Sequence, residues 1–372
     1  MTSRWKILVF GYLPPPYFGP SVTYQALLRS EFQRRFDIAF VDITVAETIA
    51  DIERFRPGKL FKMLGFLLRE LWLLTTQRFD FCFCPISVNR NAFLKDAALL
   101  GVARWFGVRT VLYAHGNNLP DFHAKSSPRV QRLIERTCRR AAGAIVLGES
   151  LRFNFEKWLP AERIFVVPTG IEPVASLPKR DRPDGITVLY LGNLVRDKGV
   201  FVLLETARRC PDLRFVFAGN WFRVEDEVAA KQLAGNNVEF IGPVTGAAKW
   251  QTLADADILA FPSFYYNETM GLVLLEAMQA GVPVVTTRRA SIPEIVREGV
   301  EGLLVNEQDP DDLAEKILRL ADDPAMRAKM GAAGRQRFDG FYTHEQYGQR
   351  MIQVFEALAG FRKTQNKLTP NG

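Results

Sequence analysis

The chain of 372 residues lacks the features that mark several large classes of protein. Its 4 cysteines are too few for a disulfide framework, and Cys82 and Cys84 have the wrong spacing for a C-x-x-C redox or metal site. No uncharged apolar run reaches the ~18 residues of a membrane-spanning helix, and no signal-peptide core precedes the first strand. There is no G-x-G-x-x-G motif, which argues against a dinucleotide-dependent oxidoreductase. We therefore expect a cytoplasmic protein.

Acidic residues are scarce in the first half of the chain. Residues 1–170 hold 24 Lys and Arg against 14 Asp and Glu, a net charge of +10, whereas the remainder holds 24 against 27, a net charge of −3. This asymmetry indicates different partners for the two halves. No recognised nucleic-acid motif accompanies the positive charge, so we expect no nucleic acid and favour an anionic membrane surface or an anionic acceptor.

What the sequence does contain is a repeated alternation of strands and helices, over a length that suits two domains of ~150–200 residues. The alternation is interrupted at Glu172–Gly185, where three prolines lie among charges, as expected of a linker. Two such halves predict two Rossmann-like domains with a cleft between them. The predicted strands are Lys6–Gly11, F-D-F-C-F-C-P, Thr110–Ala114, Gly143–Leu147, Ile164–Val167, Ile186–Leu191, Leu213–Gly219, Val238–Ile241, Ile258–Phe261, Val282–Val285 and Gly302–Val305, and the predicted helices include Ser21–Phe36, Asn91–Phe106 and Leu272–Gln279.

Two carboxylates in the stretch from Phe261 to Thr287 are candidates for ligand binding. Glu268 falls on a polar, aromatic loop after a buried strand, and Glu276 falls in the second turn of the following helix. Both can line one cleft at the carboxyl end of a parallel strand, where open α/β sheets bind ligands. Gly271 allows a ligand close to the backbone, and the first N–H groups of the helix favour an anion. The alternative is a buried helix with Glu276 at its solvated edge.

A second group of candidates follows other predicted strands. In G-N-L-V-R-D-K-G, Arg196 and Lys198 are cations on a strand-to-helix loop, which suits a diphosphate. The alternative for Lys198 is a surface charge ahead of a helix. His115 ends a strand and precedes a glycine, a position where a polar group facing the cleft is expected, whereas His123 and His344 are interpreted as surface or loop residues.

The run E-T-M-G-L-V-L-L-E-A-M-Q-A-G-V-P-V-V, from Glu268 to Val285, resembles the signature of glycosyltransferase family 4, whose members are retaining enzymes of the GT-B fold. G-N-L-V-R-D-K-G is similar to the family's G-R-L-x-x-x-K-G. The resemblance implies an α/β protein of the GT-B class, with two Rossmann-like parallel-sheet domains facing a central cleft. The implied domains are residues 1–172 for the acceptor, residues 173–343 for the nucleotide-sugar donor, and residues 344–372 as a C-terminal helix packing back on the first domain.

The resemblance also implies roles for single residues. Glu276 would hold the ribose hydroxyls, Glu268 and His115 would contact the donor sugar, and Lys198 would hold the diphosphate. Glu268, His115 and Lys198 form the expected catalytic set. Backbone contacts to the donor are expected at Met270, Gly271, Leu272, Gly242 and Gly19.

Two positions depart from the family pattern. Asn193 stands where the family has an arginine, so either Arg196 substitutes for it or the site holds phosphate more weakly. Gly19-Pro20 replaces the usual pair of glycines after the first strand, and Pro20 has no N–H to donate to an anion.

The resemblance implies a retaining hexosyltransferase that moves a sugar from a nucleotide diphosphate sugar to a hydroxyl acceptor, in cell-surface polysaccharide or glycolipid biosynthesis. The alternatives are a nucleotide-sugar epimerase of the same fold and a non-catalytic carbohydrate-binding protein. We expect no cofactor, because the nucleotide sugar is a co-substrate. We also expect no metal, because Asp255 and Asp257 lie between a helix end and a core strand and are interpreted as caps.

The segment K-L-F-K-M-L-G-F-L-L-R-E-L-W-L-L, Lys59–Leu74, is unusually apolar and carries Lys59, Lys62 and Arg69 close together on a helix, with Arg54 and Arg56 upstream. It is either a helix buried on most sides or a basic amphipathic helix at a membrane interface. In the second interpretation, residues 54–74 bind an anionic membrane surface. We then expect a peripheral location at the inner face of the membrane and a carbohydrate or lipid-linked acceptor.

Overall fold

The computed structural model describes residues 4–44, 58–116, 118–181 and 185–368, with the side chains of residues 58–60 and 361–368 left out of the description. The chain forms two compact units. The first unit comprises residues 1–170 and 344–372, and the second unit comprises residues 171–343.

The first unit is built on a parallel sheet of six strands in the order β2-β1-β3-β4-β5-β6, counted over the described residues. Every residue of β3 is buried, including both Cys82 and Cys84, because helices cover both faces of a parallel sheet. The strand β2, Asp37–Asp42, was not predicted from the sequence, and it pairs with β1 from Lys6↔Asp37 to Gly11↔Asp42. The strands are β1 Lys6–Gly11, β2 Asp37–Asp42, β3 Phe81–Pro85, β4 Arg109–Tyr113, β5 Gly143–Val146 and β6 Ile164–Val166.

The helices of this unit are α1 Gly19–Arg29, α2 Glu31–Arg35, α3 Gly58–Thr76, α4 Arg90–Trp105, α5 Leu119–Lys125, α6 Pro128–Arg139 and α7 Phe153–Glu156. The prediction of one helix over Ser21–Phe36 is wrong, because Ser30 divides it. Its hydroxyl donates to the Leu27 carbonyl at 2.7 Å and accepts the Phe32 N–H at 3.2 Å. A serine side chain that bonds nearby backbone groups in this way competes with the helical pattern and caps the next helix.

His123 is not a surface or loop residue, contrary to the prediction. It lies in α5, buried, with its Nε2 2.9 Å from a Glu135 carboxylate oxygen and its ring 5.3 Å from the Trp158 ring centroid. The helix α5 packs on α6, which carries Glu135, so the imidazole faces a neighbouring helix. His344, by comparison, is the half-buried first residue of the last helix.

The second unit repeats the architecture with a parallel sheet in the order β12-β11-β10-β7-β8-β9, again counted over the described residues. The strands are β7 Thr187–Leu191, β8 Arg214–Ala218, β9 Val238–Gly242, β10 Ile258–Phe261, β11 Val284–Thr287 and β12 Gly302–Val305, and the helices are α8 Val200–Arg209, α9 Val224–Leu233, α10 Gly246–Ala254, α11 Leu272–Ala280, α12 Ile292–Ile295, α13 Pro310–Asp322 and α14 Pro324–Arg337.

The strand predicted at Val282–Val285 begins two residues late, at Val284. The Val282 N–H donates to the Ala277 carbonyl at 2.9 Å and so completes the end of α11. Pro283 has no N–H to donate to a neighbouring strand, although its carbonyl accepts from Leu259 at 3.0 Å. Strand pairing therefore starts only after the proline.

The last helix, α15 His344–Leu368, belongs to the first unit and packs on α1 and α2. Its buried side chains enter an aromatic core, where the Phe355 ring lies 5.2 Å from that of Phe81 and 5.5 Å from that of Phe32. The hydroxyls of Tyr347 and Tyr113 are 3.0 Å apart. The final helix thus supplies one side of the first unit's core.

The helix α3 has two different faces. Its inner face buries Leu73, Leu74 and Glu70, and α3 packs on α4. Its outer face exposes four large apolar side chains that recur every three or four residues: Phe61 at 77%, Leu64 at 54%, Leu68 at 58% and Trp72 at 60%. Both Lys62 and Arg69 are exposed, whereas Arg54, Arg56 and the side chain of Lys59 lie outside the described residues.

The interpretation of α3 as a helix buried on most sides is wrong, because its outer face is exposed, whereas its location at a membrane interface stays a prediction. Within the described ranges, no helix combines the length and the hydropathy needed to cross a membrane.

Glu70 is a buried acid on the inner face of α3. Among the described residues, neither oxygen of its carboxyl group has a hydrogen-bond partner. Burial raises the pKa of Glu70 to about 9, because an ionised carboxylate without a partner is costly in an apolar surrounding. The folded protein therefore keeps this group protonated at neutral pH.

We expect Glu70 to make the folded state less stable as pH rises. The unfolded chain ionises it near its ordinary pKa of 4.5, whereas the folded chain holds the proton until about 9. The folded state therefore binds more protons between these values, so the free energy of unfolding falls across the window. Glu70→Gln should flatten that slope, measured by urea unfolding from pH 5 to 8.5 in steps. Glu156→Gln, at an exposed position of the same unit, is the control, and an unchanged slope in Glu70→Gln would contradict the assignment.

Candidate active site

The second sheet has a topological switch point between β7 and β10. The chain leaves β7 for β8 and β9 on one side, whereas β10 and then β11 and β12 pair on the other side. Ligands of open α/β sheets bind outside the carboxyl ends of the strands at such a point. Two loops meet there, namely residues 192–199 after β7 and residues 262–271 after β10.

Glycine allows the first of these loops to lie against the end of β10. Gly199 has a φ of 84°, and a Cβ at this position would overlap the carbonyl group of Pro262. A hydrogen bond from the Phe264 N–H to the Asp197 carbonyl, at 2.9 Å, joins the loops further. The close approach requires glycine for both conformation and space.

This contact brings together two of the residues that the sequence predicts for the site. Lys198 Nζ lies 3.2 Å from Glu268 Oε2, with about a quarter of the lysine side chain and a tenth of the glutamate side chain exposed. The Ser263 hydroxyl donates to the same carboxylate oxygen at 3.4 Å. Lys198 Nζ also lies 5.7 Å from the ring centroids of both Phe261 and Tyr265. The result is a partly desolvated ion pair with an aromatic lining, at the switch point.

Glu276 lies in the second turn of α11 and forms an ion pair with Lys249 of α10. Lys249 Nζ is 2.7 Å from Glu276 Oε1. Lys249 was not predicted, because a single lysine in A-A-K-W on a predicted helix has nothing that distinguishes it from a surface charge. Both side chains are partly buried.

The start of α11 is also part of this site. Gly271 is its N-cap residue, with a φ of 67°, and no side chain caps the helix. Met270 is buried before it, and Leu272 is the first helical residue. The first N–H groups of a helix without a side-chain cap are donors suited to an anion.

Arg196, the second predicted cation of the loop after β7, forms an ion pair with Asp226. Its guanidinium donates from Nε and Nη2 to one carboxylate oxygen of Asp226, at 3.2 and 2.9 Å, and lies 3.9 Å from the ring centroid of Phe201. Asp226, on α9, was not predicted. Nearby, the Asn193 carbonyl accepts a hydrogen bond from the Tyr190 hydroxyl at 3.0 Å. The structure thus pairs Arg196 with α9, and a phosphate-binding role for it stays a prediction.

Gly242 ends β9, at the edge of the sheet. It has a φ of 73°, and a Cβ there would meet no atom within 4 Å. Its carbonyl accepts the Gly219 N–H at 2.8 Å. The backbone is therefore open on one side, as a base-binding position requires, although that role stays a prediction.

His115 and Gly19 belong to the first unit. His115 follows β4 and is packed against Tyr113 and Tyr24, with ring centroids 4.1 and 5.6 Å away. Burial lowers the pKa of His115 to about 3, so the imidazole is neutral at physiological pH. Gly19 is the first residue of α1, where a Cβ would meet nothing within 4 Å.

Asp255 and Asp257 make contacts within the second unit. One oxygen of Asp257 accepts the Thr187 N–H at 2.8 Å and the other pairs with Arg180. The Asp255 carboxylate accepts from the Asp181 N–H at 2.8 Å. In the part of the chain that the structure describes, no group of three His, Cys, Asp or Glu could hold a metal ion.

Solved structures with the same arrangement of parallel sheets define the class of the fold. Sucrose-phosphate synthase from Thermosynechococcus elongatus matches with a TM-score of 0.76 at 19% identity, over 96% of this chain and 100% of that one. HepE from Anabaena, solved in complex with UDP and glucose, matches with a TM-score of 0.72 at 18% identity, over 95% of this chain and 100% of that one. Together with the two Rossmann-like sheets, they place the chain in the GT-B class, as predicted.

Sequence comparison narrows the class to a family. Residues 177–337 match the family described as Glycosyl transferases group 1. The chain is 30% identical over 269 residues to a phosphatidyl-myo-inositol mannosyltransferase of Mycobacterium tuberculosis, covering 66% of this chain and 69% of that protein. It is 32% identical over 162 residues to the sulfoquinovosyl transferase SQD2 of Arabidopsis thaliana, covering 43% of this chain but only 31% of that protein. The chain belongs to the group 1 glycosyltransferases, and it spans less than two thirds of the length of several of the relatives that it matches.

Gly199→Ala should disrupt the site because the added methyl group cannot fit against Pro262. We expect a loss of stability of about 1–3 kcal/mol from overpacking, together with weaker binding of any anionic ligand of Lys198, because Lys198 is the preceding residue. Thermal unfolding and calorimetric titration with UDP, GDP and ADP measure the two effects.

Gly299→Ala is the matched control, since Gly299 has a φ of 75° in the same unit but a Cβ there meets nothing within 4 Å. Equal effects of the two substitutions would mean that backbone strain, and not the contact with Pro262, accounts for the result.

Proposed function

We propose that this enzyme transfers a hexosyl group from a nucleotide diphosphate sugar to a hydroxyl acceptor with retention of configuration. The observation that carries the proposal is the ion pair of Lys198 and Glu268 at the switch point of the second sheet. It lies within the residues that match the family. UDP in the complex of HepE, a protein of similar fold, agrees with a nucleotide donor.

The donor diphosphate would lie between Lys198 and the start of α11. Charge develops on the diphosphate as the glycosidic bond breaks, and fixed donors aimed at that position stabilise the transition state. Lys198 supplies the cation, and the N–H groups at Gly271 and Leu272 supply dipoles, next to Met270. Arg196 would add a second cation only by leaving Asp226. In this proposal side chains and a helix end neutralise the leaving group, without a metal or another cofactor.

Three further residues would orient the donor. Glu276 would accept hydrogen bonds from the ribose hydroxyls, and Glu268 would hold the donor sugar. The neutral imidazole of His115 would hydrogen-bond to the sugar without adding charge, as its low pKa requires. Gly242, Asn193 and Gly19 would contribute backbone contacts.

The acceptor would bind the first unit, and the surface of this unit supports a lipid-linked acceptor. The outer face of α3 combines an apolar stripe with exposed Lys62 and Arg69. A helix of this kind is suited to lie in the interface of an anionic membrane. The name of the M. tuberculosis relative also specifies a phospholipid, phosphatidyl-myo-inositol. We place the reaction in the biosynthesis of a glycolipid or cell-surface polysaccharide.

Lys198→Ala tests the role in phosphate binding. The substitution should weaken the binding of nucleoside diphosphates more than that of monophosphates, and should lower the transfer rate by roughly 10-fold or more, as the loss of a charged hydrogen bond of ~1.5–3 kcal/mol requires. Titration calorimetry with each nucleotide and a coupled assay for diphosphate release measure these quantities. Lys231→Ala removes an exposed lysine of the same unit and serves as control. If the ratio of diphosphate to monophosphate affinity stays at the wild-type value, Lys198 is not a phosphate ligand.

Membrane attachment through α3 is testable with liposomes. The protein should sediment with vesicles in proportion to their phosphatidylserine content, and added salt should release it, since each basic residue near an anionic leaflet contributes ~1 kcal/mol. Lys62→Glu with Arg69→Glu should abolish binding. Arg319→Glu with Lys329→Glu reverses two exposed charges of the second unit and should leave it intact. A wild-type protein that ignores anionic vesicles at low salt would remove the membrane from the proposal.

A further inference from the structure

Glu276 is the one charged residue of the helix α11. The sequence of α11 is L-V-L-L-E-A-M-Q-A, and six of its nine residues are buried. The Glu276 side chain is only 17% exposed. A carboxylate in such a position needs a partner to offset the loss of hydration.

Lys249 provides that partner from the first turn of α10. Its Nζ lies 2.7 Å from Glu276 Oε1, and its N–H donates to the Thr245 carbonyl at 3.4 Å. The helices α10 and α11 pack against each other, so both residues of the ion pair lie in regular secondary structure. About a quarter of the Lys249 side chain is exposed, and its ammonium group contacts one oxygen of the Glu276 carboxylate. This contact restricts the orientation of the carboxylate.

The two carboxylate oxygens of Glu276 have different surroundings. Oε1 is taken by Lys249, whereas Oε2 accepts no hydrogen bond from the described residues and is not shut off from solvent. A carboxylate oxygen can accept two hydrogen bonds. The 2′ and 3′ hydroxyls of a ribose are two neighbouring donors, so Oε2 suits them.

We propose that Lys249 is a positioning residue, which holds the Glu276 carboxylate in the orientation that binds the vicinal hydroxyls of the nucleotide ribose. The inference rests on the proposed function, in which Glu276 is the ribose ligand. Preorganisation of a carboxylate removes the cost of ordering it when the nucleotide binds. Lys249 therefore contributes to donor affinity without touching the donor.

The test compares nucleotides that differ only in the ribose hydroxyls. UDP, GDP and ADP are titrated calorimetrically beside their 2′,3′-dideoxy forms, and the ratio of the two dissociation constants is taken for the nucleotide that binds most tightly. Wild type should prefer the ribose form by roughly 10-fold or more, as expected for hydrogen bonds to a charged group. Lys249→Met should reduce that preference at least about threefold while the affinity for the dideoxy form stays within about twofold. Lys249→Arg should restore most of it.

Two controls separate the possible failures. Lys231→Met removes the lysine of another 2.7 Å ion pair in the same unit, with Glu227, and should leave the preference unchanged. Glu276→Ala should abolish the preference, and if it does not, the ribose assignment in the proposed function fails. If Glu276→Ala abolishes the preference but Lys249→Met keeps the wild-type ratio, or weakens both nucleotide forms equally, Lys249 does not position the carboxylate. In that case its role is structural or directed at phosphate.

Discussion

The candidate site depends on the contact between the backbone of Gly199 and that of Pro262. A parallel sheet places the ends of β7 and β10 side by side, but it does not by itself bring the loops after them into contact. A residue with a side chain at position 199 would keep them apart. Because Gly199 has none, Lys198 reaches Glu268, and the aromatic rings of Phe261 and Tyr265 close around the pair. The ion pair is therefore a product of backbone packing as much as of charge.

The charged side chains expected to bind the donor form ion pairs within the second unit. Four of the groups expected to hold the donor already have a partner of opposite charge: Lys198 and Glu268 pair with each other, Glu276 pairs with Lys249, and Arg196 pairs with Asp226. A nucleotide diphosphate bound as proposed would compete with some of these partners. The first unit contrasts with this arrangement, because its expected contact His115 is uncharged at physiological pH and packed among tyrosines.

The sequence predicts those parts of the molecule that local chemistry determines. The strand β10 ends at a proline and the helix α11 ends at a glycine, and their predicted bounds agree with the structure to within one residue. Lys198 and Glu268 were both predicted for the site because they lie on recognisable loops, although their contact with each other was not predicted. Lys249 and Asp226 could not be predicted, because the contact of each depends on how the surface of its helix packs against a site that is distant in sequence. The helix break at Ser30 and the strand β2 were not predicted for a different reason. Short-range polar contacts of a side chain and pairing at the edge of a sheet leave little periodic signal in the sequence.

The place of α15 in the fold has a consequence for how the chain is made. The second unit is formed by one uninterrupted stretch, residues 171–343, whereas the first unit includes residues from both ends of the chain. The N-terminal sheet is synthesised first, but Phe355 and Tyr347, which fill its aromatic core, follow the whole second unit along the chain. Domains generally fold as units, and usually the N-terminal one folds first during synthesis. In this chain the later domain can complete its core before the earlier one, so the nascent first unit keeps apolar surface uncovered until the residues that follow the second unit have been synthesised.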